Sequence, residues 1–286
     1  MANTDPMKRT SGFTLPEDVS SEIWQKTIAD SAVMKLARQV QLPGNGVSIP
    51  VITGDPDPAW VAEGAKKPVS NAKTAKKNLT PYKLAVIETF SMEFQRDLPA
   101  LYDALVQRLP KSLGAKFDNT VFGGTTKPGD NFDQLSSATG VALAPDVYAA
   151  LVTADSTISE AGYIVNGYAV SPQARAKLLA AVDGNKRPLF VNSVAEGAIP
   201  MILGAPTYMT KGAYVAGASS AASTIGFVGD WTQAVYGTVA GVKVYFSDQA
   251  TVNGVSLWED NLVAVRAEIE LGFVCQTDAF VKLTDK

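Results

Sequence analysis

Residues Gly54–Pro81 read GDPDPAWVAEGAKKPVSNAKTAKKNLTP. After Trp60 and Val61 the stretch holds Lys66, Lys67, Lys73, Lys76 and Lys77 with almost no large apolar side chain. A segment this poor in apolar surface cannot offset the entropy of ordering itself. Its flanks differ: a β-rich run, Val47-Ser48-Ile49-Pro50-Val51-Ile52, leads in, and a longer one, Leu79 to Phe90, leads out. The pattern predicts an extended two-stranded arm that projects from a body and needs a partner surface.

On the N-terminal side, Met1 to about residue 15 reads as a loose arm. Pro16 and Glu17 then open a helix with apolar positions at Val19, Ile23, Ile28, Val33 and Leu36. Gly44-Asn45-Gly46 breaks the chain before the arm. On the C-terminal side, Leu84-Ala85-Val86-Ile87 lacks polar alternation, which suggests a strand covered on both faces. From Asp97 the period changes. Leu101, Leu105, Leu109, Leu113, Phe117 and Val121 recur every fourth residue on one stripe of a helix about 35 Å long. Pro110 lies inside it and should bend or divide it. The glycines and proline of 123–129 end it.

Beyond Ala138 short elements alternate with Gly, Pro and Ser. Pro145 opens a helix through Leu151. Ser171-Pro172 gives an N-cap and a proline at N1 for a helix through Val182. Strand-like runs follow at Pro188–Val191 and Met201–Leu203. The last third reads as a meander of Thr224–Val228, Trp231–Val239, Val242–Phe246 and Asn261–Phe273. In the last of these Val263, Val265, Ala267, Ile269 and Leu271 alternate with Ala264, Arg266, Glu268 and Glu270.

Composition narrows the chemistry. The 286 residues are 46% hydrophobic and 19% charged, as in an ordered protein with a substantial core. A net charge of −3 argues against a protein whose main task is coating nucleic acid, so the lysines are a local feature. Residues 1–16 lack the apolar core of a signal peptide, and no membrane-length apolar run follows, so the chain reads as soluble and cytoplasmic. Histidine is absent, which removes Ser-His-Asp and Cys-His catalysis and histidine metal ligands. The single cysteine, Cys275, allows no intrachain disulfide and reads as a buried hydrophobe in a C-terminal strand.

Candidate motifs resolve into structure. The run 123–129 lacks the spacing of a phosphate loop and follows a helix instead of opening one. Asp55 and Asp57 lack the glycine and terminal glutamate of a calcium loop and read as a turn. Glu268 and Glu270 share a face with Arg266, which favours a charged ladder over a catalytic pair. No catalytic, cofactor-binding or metal-ligating residue is therefore assigned. The arm lysines could be solvated charge, a local nucleic-acid contact or a contact with acidic groups on another copy. Stacking aromatics are absent between Val61 and Tyr82, so intersubunit contact is favoured. The candidate contact residues are Trp60, Glu63, Lys66, Lys67, Lys73, Lys76 and Lys77.

In order and spacing, these features resemble a known family. Ala59-Trp60-Val61-Ala62-Glu63-Gly64, Lys67-Pro68-Val69-Ser70 and Leu79 through Val86 resemble the extended arm of tailed-bacteriophage major capsid proteins. The helix ending at Phe122-Gly123-Gly124 resembles that family's spine helix. Tyr168 to Pro172, Pro188-Leu189-Phe190 and Ile202 to Pro206 resemble its axial domain. Gly229-Asp230-Trp231, Val263 to Ala267 and Asp278 to Leu283 resemble its closing segments.

The resemblance implies an α+β fold of the Johnson, or Hong Kong ninety-seven, type. Its expected parts are an N-terminal arm and helix (1–46), an extended two-stranded loop with flanking strands (47–90), a peripheral domain beginning with the long spine helix (91–137), an axial domain (138–228) and peripheral closing strands (229–286). It implies pentamers and hexamers closing into an icosahedral shell around double-stranded DNA, assembled in the host bacterial cytoplasm, with no enzyme activity and no cofactor. Expected partners are further copies of the chain, a portal protein, packaged DNA held by weak non-specific contacts and, in some cases, a decoration protein; no membrane contact is expected. Only about 45 residues precede the arm, which suggests a separate scaffolding protein. An encapsulin-like shell around cargo enzymes shares the fold and is the alternative; a lysine- or carboxylate-dependent enzyme and a ring-forming tail component are more distant ones.

Overall fold

A computed structural model describes residues 17–54, 60–61, 66–67, 73–93, 98–182, 185, 187–190, 201–217 and 221–286. The expectations for residues 1–16, Asp55, Asp57, Glu63 and Val191 lie outside that set.

The N-terminal helical segment forms as two helices, α1 (Glu17–Asp30) and α2 (Ala32–Leu36). Ser31 separates them because its hydroxyl accepts from the Met34 N–H and so caps α2. Strand β1 (Arg38–Gln41) follows, then the arm strands β2 (Val47–Gly54) and β3 (Lys73–Leu79), then β4 (Tyr82–Ser91). The helix expected from the fourfold stripe is α3 (Leu98–Val121). Leu109, Leu113, Phe117 and Val121 are all buried, as the stripe requires. The helix runs through Pro110 without dividing, since losing one backbone donor is tolerated where flanking leucines pack into a core.

Two sheets organise the rest. The first is built on β14 (Leu262–Cys275), which takes β10 (Ala234–Thr238) and β11 (Lys243–Ser247) as antiparallel partners, with β1 parallel to β10. Strand β4 pairs antiparallel with β14 from Tyr82↔Leu271 to Ser91↔Leu262. On β14, Val263, Val265, Ala267, Ile269 and Leu271 are buried while Arg266 is exposed, as their alternation predicts, although Ala264 on the opposite face is buried as well. Strand β4 departs from the expectation of two covered faces. It alternates half-buried with exposed positions, and Ile87 is 51% exposed, because the core covers only one side.

The second sheet has the order β5-β15-β9-β6-β8-β7, from strands β5 (Thr139–Ala142), β6 (Gly167–Val170), β7 (Met201–Ile202), β8 (Ala205–Met209), β9 (Thr224–Gly229) and β15 (Phe280–Thr284). Helices α4 (Val147–Glu160) and α5 (Pro172–Ala180) pack on it through Leu151, Ile158, Ala174 and Leu178. Ser171 caps α5 and Pro172 opens it, as expected. Helix α4 is capped by Asp146, one residue after Pro145, and extends past Leu151 to Glu160. The last third is no simple meander. Strand β9 belongs to the second sheet, Trp231–Gln233 forms a 3-10 turn, and β15, expected with the peripheral closing strands, pairs with β5 and β9. Between β11 and β14 a small hairpin, β12 (Thr251–Val252) with β13 (Val255–Ser256), ends in a turn at residues 257–261.

Candidate intersubunit arm

The arm is an antiparallel pair in register from Val47↔Leu79 to Ile52↔Thr74, with a shift before Gly54↔Lys73. Strand β3 offers few apolar side chains besides Leu79, which lies at the root of the arm. There Leu79 is fully buried and packs with Leu42, Val235 and Val274. Gly237 and Gly272 make room for it: an added Cβ would approach Leu79 Cδ atoms to 2.9 Å at each position.

Polar contacts fix the same root. The Lys77 ammonium donates to Asp133 Oδ2 at 2.7 Å and to the Cys275 carbonyl. Asp133 Oδ2 also accepts from the Cys275 N–H at 3.0 Å, so one carboxylate bridges the arm and the end of β14. Cys275 is buried, as its sequence context suggests. Burial, with the nearby Asp133 charge, pushes its thiol up to about 12 against the opposing effect of Lys77.

The candidate contact residues separate into groups. Trp60 is fully solvent-exposed, at 105% of the reference area, and Lys66, Lys67 and Lys76 are exposed as well. Lys77 differs from the expectation of an intersubunit contact, because its ammonium is engaged within its own chain. Lys73 lies on β3, with its side chain outside the described set, as is all of Glu63.

A second polar node joins the helices to the rest of the body. Asp118 on α3 is fully buried and accepts from Ser31 Oγ (2.6 Å), Thr210 Oγ1 (2.8 Å), Ala32 N (3.0 Å) and Val33 N (3.2 Å). Burial raises its carboxyl above the ordinary 3.8, against the pull of those hydrogen bonds. Sequence reasoning missed both Asp118 and Asp133. The available signal for Asp118 was an acid set beside the apolar stripe, next to Phe117.

On the outward face of the first sheet Lys83 lies 3.7 Å from both Glu268 and Glu270, and Arg266 lies 3.8 Å from Glu268 and over the Tyr245 ring. This is the charged ladder expected from the alternation. Among the described residues no group of three or more Cys, Asp or Glu is placed to hold a metal ion, and no helix is long and apolar enough to cross a membrane.

The chain thus combines an arm rooted on the first sheet, a long helix packed into the same core as that sheet, and a second mixed sheet. The chain belongs to the phage capsid family, whose model matches residues 11–285. It is 30% identical to the "Probable major capsid protein gp17" of Mycobacterium phage L5, over 96% of this chain and 90% of that one. Its fold matches a structure from Mycobacterium phage Ogopogo with a TM-score of 0.74 at 18% identity, covering 90% and 92% of the two chains. It also matches "Capsid of native GTA particle computed with C5 symmetry", with a TM-score of 0.65 at 13% identity and coverage of 91% and 89%.

Proposed function

We propose that this chain is a major capsid protein whose copies assemble through pentamers and hexamers into an icosahedral virion shell enclosing phage double-stranded DNA. The observation that carries the reading is the arm: its root is fixed by Leu79 and Lys77, while Trp60, between its two strands in sequence, is fully exposed. Tryptophan is enriched among the residues that carry most of the energy of protein interfaces, which supports an arm contact here. The function is distributed over contacts between copies, and no catalytic role is assigned to any residue.

Trp60, Lys66, Lys67 and Lys76, with Lys73 and Glu63, are the proposed arm contacts. Portal, scaffolding and decoration proteins and the packaged DNA are partners supported by the family resemblance alone. Relatives with phage capsid names favour a virion shell over an encapsulin-like compartment. Electron microscopy of the purified protein tests the reading: uniform icosahedral particles are expected, and a chain that stays a compact monomer overturns it. DNA recovered from particles made in infected cells separates a virion shell from a cargo compartment.

A further inference from the structure

Between β4 and α3 lies an apolar groove of about 140 Å³ walled by Tyr82, Leu84, Phe117, Pro128, Phe132 and Leu271. An apolar cavity of about 150 Å³ takes up a benzene ring, so this groove has room for one aromatic ring. Lys116 stands on its wall, and among the described residues this ammonium has no ion-pair partner. Lys83, on the same wall, is already shared between Glu268 and Glu270.

Two of the four tryptophans are free to supply such a ring, since Trp231 is buried and Trp24 packs against the core. They are Trp60 on the arm and Trp258, 69% exposed, in the turn after β13. Charge decides between them. Trp258 is followed directly by the exposed Glu259 and Asp260, opposite in charge to Lys116, whereas Trp60 lies in a stretch of mixed charge, with Asp57 and Glu63 three residues away in sequence and the exposed Lys66 and Lys67 further on. The turn is also pre-organised. Leu257 beside the tryptophan is fully buried, the Leu262 N–H donates to the Leu257 carbonyl at 2.8 Å, and the Asp260 N–H donates to the Ser256 carbonyl at 3.2 Å.

We propose that the turn Trp258-Glu259-Asp260 of one copy docks into the groove between β4 and α3 of the next copy, with the indole in the groove and the two carboxylates facing Lys116. A chain cannot fill its own groove in this way. The turn adjoins Leu262, paired with Ser91, while the groove lies at Leu271, paired with Tyr82, about 30 Å away along an extended strand. The contact is head-to-tail, and a head-to-tail contact between identical copies closes into a ring when its rotation permits. The inference rests on the capsid reading and names one of the interfaces that reading requires.

Paired cysteines test it. Thr126 is exposed on the groove and the native Cys275 is buried, so Trp258→Cys with Thr126→Cys introduces the accessible thiol pair. In particles verified by electron microscopy, mild oxidation is expected to give a ladder of disulfide-linked dimers and higher multimers on a non-reducing denaturing gel. A ladder from Trp60→Cys with Thr126→Cys in place of the Trp258 pair, or no ladder from either, overturns the proposal and leaves the capsid reading standing. An unmodified chain that never assembles overturns both. As a second measure, Lys116→Glu is expected to cut particle yield about tenfold through like-charge repulsion. Adding Glu259→Lys and Asp260→Lys to the same chain is expected to restore the yield, and failure of that rescue overturns the contact.

Discussion

The Lys77 ammonium and Asp133 Oδ2 lie 2.7 Å apart although the residues are 56 positions apart in sequence, so an ion pair ties the second strand of the arm to the body. Both side chains are about one-third exposed, at 32% each, and the pair therefore contributes modestly to stability. Its larger expected effect is on the direction in which the arm leaves the body. Lys77→Ala removes the donor to both Asp133 and the Cys275 carbonyl and is expected to destabilise the subunit by about 1 kcal/mol in urea denaturation. Particle yield, measured by sedimentation, is expected to fall more than that loss of stability accounts for, because the arm then leaves the body in more than one direction. A yield that tracks stability alone would show that the ion pair has no orienting role.

Leu79 tests the apolar half of the same root. It is fully buried in a satellite cluster with Leu42, Val235 and Val274, separate from the main core. Leu79→Ala removes apolar area and leaves a cavity beside Gly237 and Gly272, which carry no side chain to fill it. The expected cost is about 3 kcal/mol in equilibrium unfolding, within the range for buried leucines. A cost below about 1 kcal/mol would mean that the strands collapse onto the vacancy.

The arm and the helical stripe could be read from sequence because both signals are local: lysine-rich composition at 54–81 and leucines four apart from Leu101. Strand β4 was misread for the opposite reason. The run Leu84 to Ile87 contains no polar residue, yet whether its second face is covered depends on packing that the local sequence does not encode, and Ile87 faces solvent. The polar nodes were hidden by separation along the chain. Asp118 meets Thr210 across 92 positions and Ser31 across 87, so no spacing rule could have joined them. The proposed contact residues rest on a similar division. Composition marks the arm lysines, but only geometry distinguishes Lys77, turned inward, from the exposed Lys76.

Asp118 gives a prediction with a pH sign. Replacing it with Ala strands the hydroxyls of Ser31 and Thr210 and two backbone N–H groups in a buried site, and is expected to cost about 3 kcal/mol or more. Asp118→Asn keeps an acceptor and is expected to cost less. Because burial raises the folded-state pKa above 3.8, the contribution linked to this group is fully present below 3.8 and is lost as pH rises through the folded value. The wild type should therefore gain stability relative to Asp118→Asn as pH is lowered from neutrality toward 3.8. A pH-independent difference between the two chains would show that the carboxyl is not raised.

Cys275 provides a reporter of opening at the arm root. Its thiol is 2% exposed, and burial pushes its pKa up to about 12, so at pH 8 the folded chain holds almost no thiolate. Linkage runs in the same direction as for Asp118: the contribution of this group is present below the ordinary 9.0 and is lost as pH rises through about 12. Reaction with a maleimide is expected to be slow in the folded subunit and to follow the rate of unfolding or local opening. Lys77→Ala, which removes the donor to the Cys275 carbonyl, should accelerate labelling more than Ile158→Val, a core change in the second sheet's cluster with a comparable global cost of about 1 kcal/mol. Equal acceleration by both variants would show that the thiol is reached only by global unfolding and that the root does not open on its own.

Reversal of the exposed arm charges separates folding from assembly. Lys66, Lys67 and Lys76 are exposed, and among the described residues substituting all three with Glu removes no hydrogen bond or ion pair. Circular dichroism and the unfolding midpoint of the unassembled subunit are therefore expected to remain within error of the wild type. Particle yield is expected to fall, and raising the salt concentration should recover part of it by screening the new repulsion between the arm and acidic groups on the neighbouring copy. The single change Trp60→Ala should lower yield without any salt dependence, since the surface it removes is apolar. Normal yield from the triple reversal across the salt range would remove the arm lysines from the intersubunit contact and leave Trp60 as its remaining described candidate.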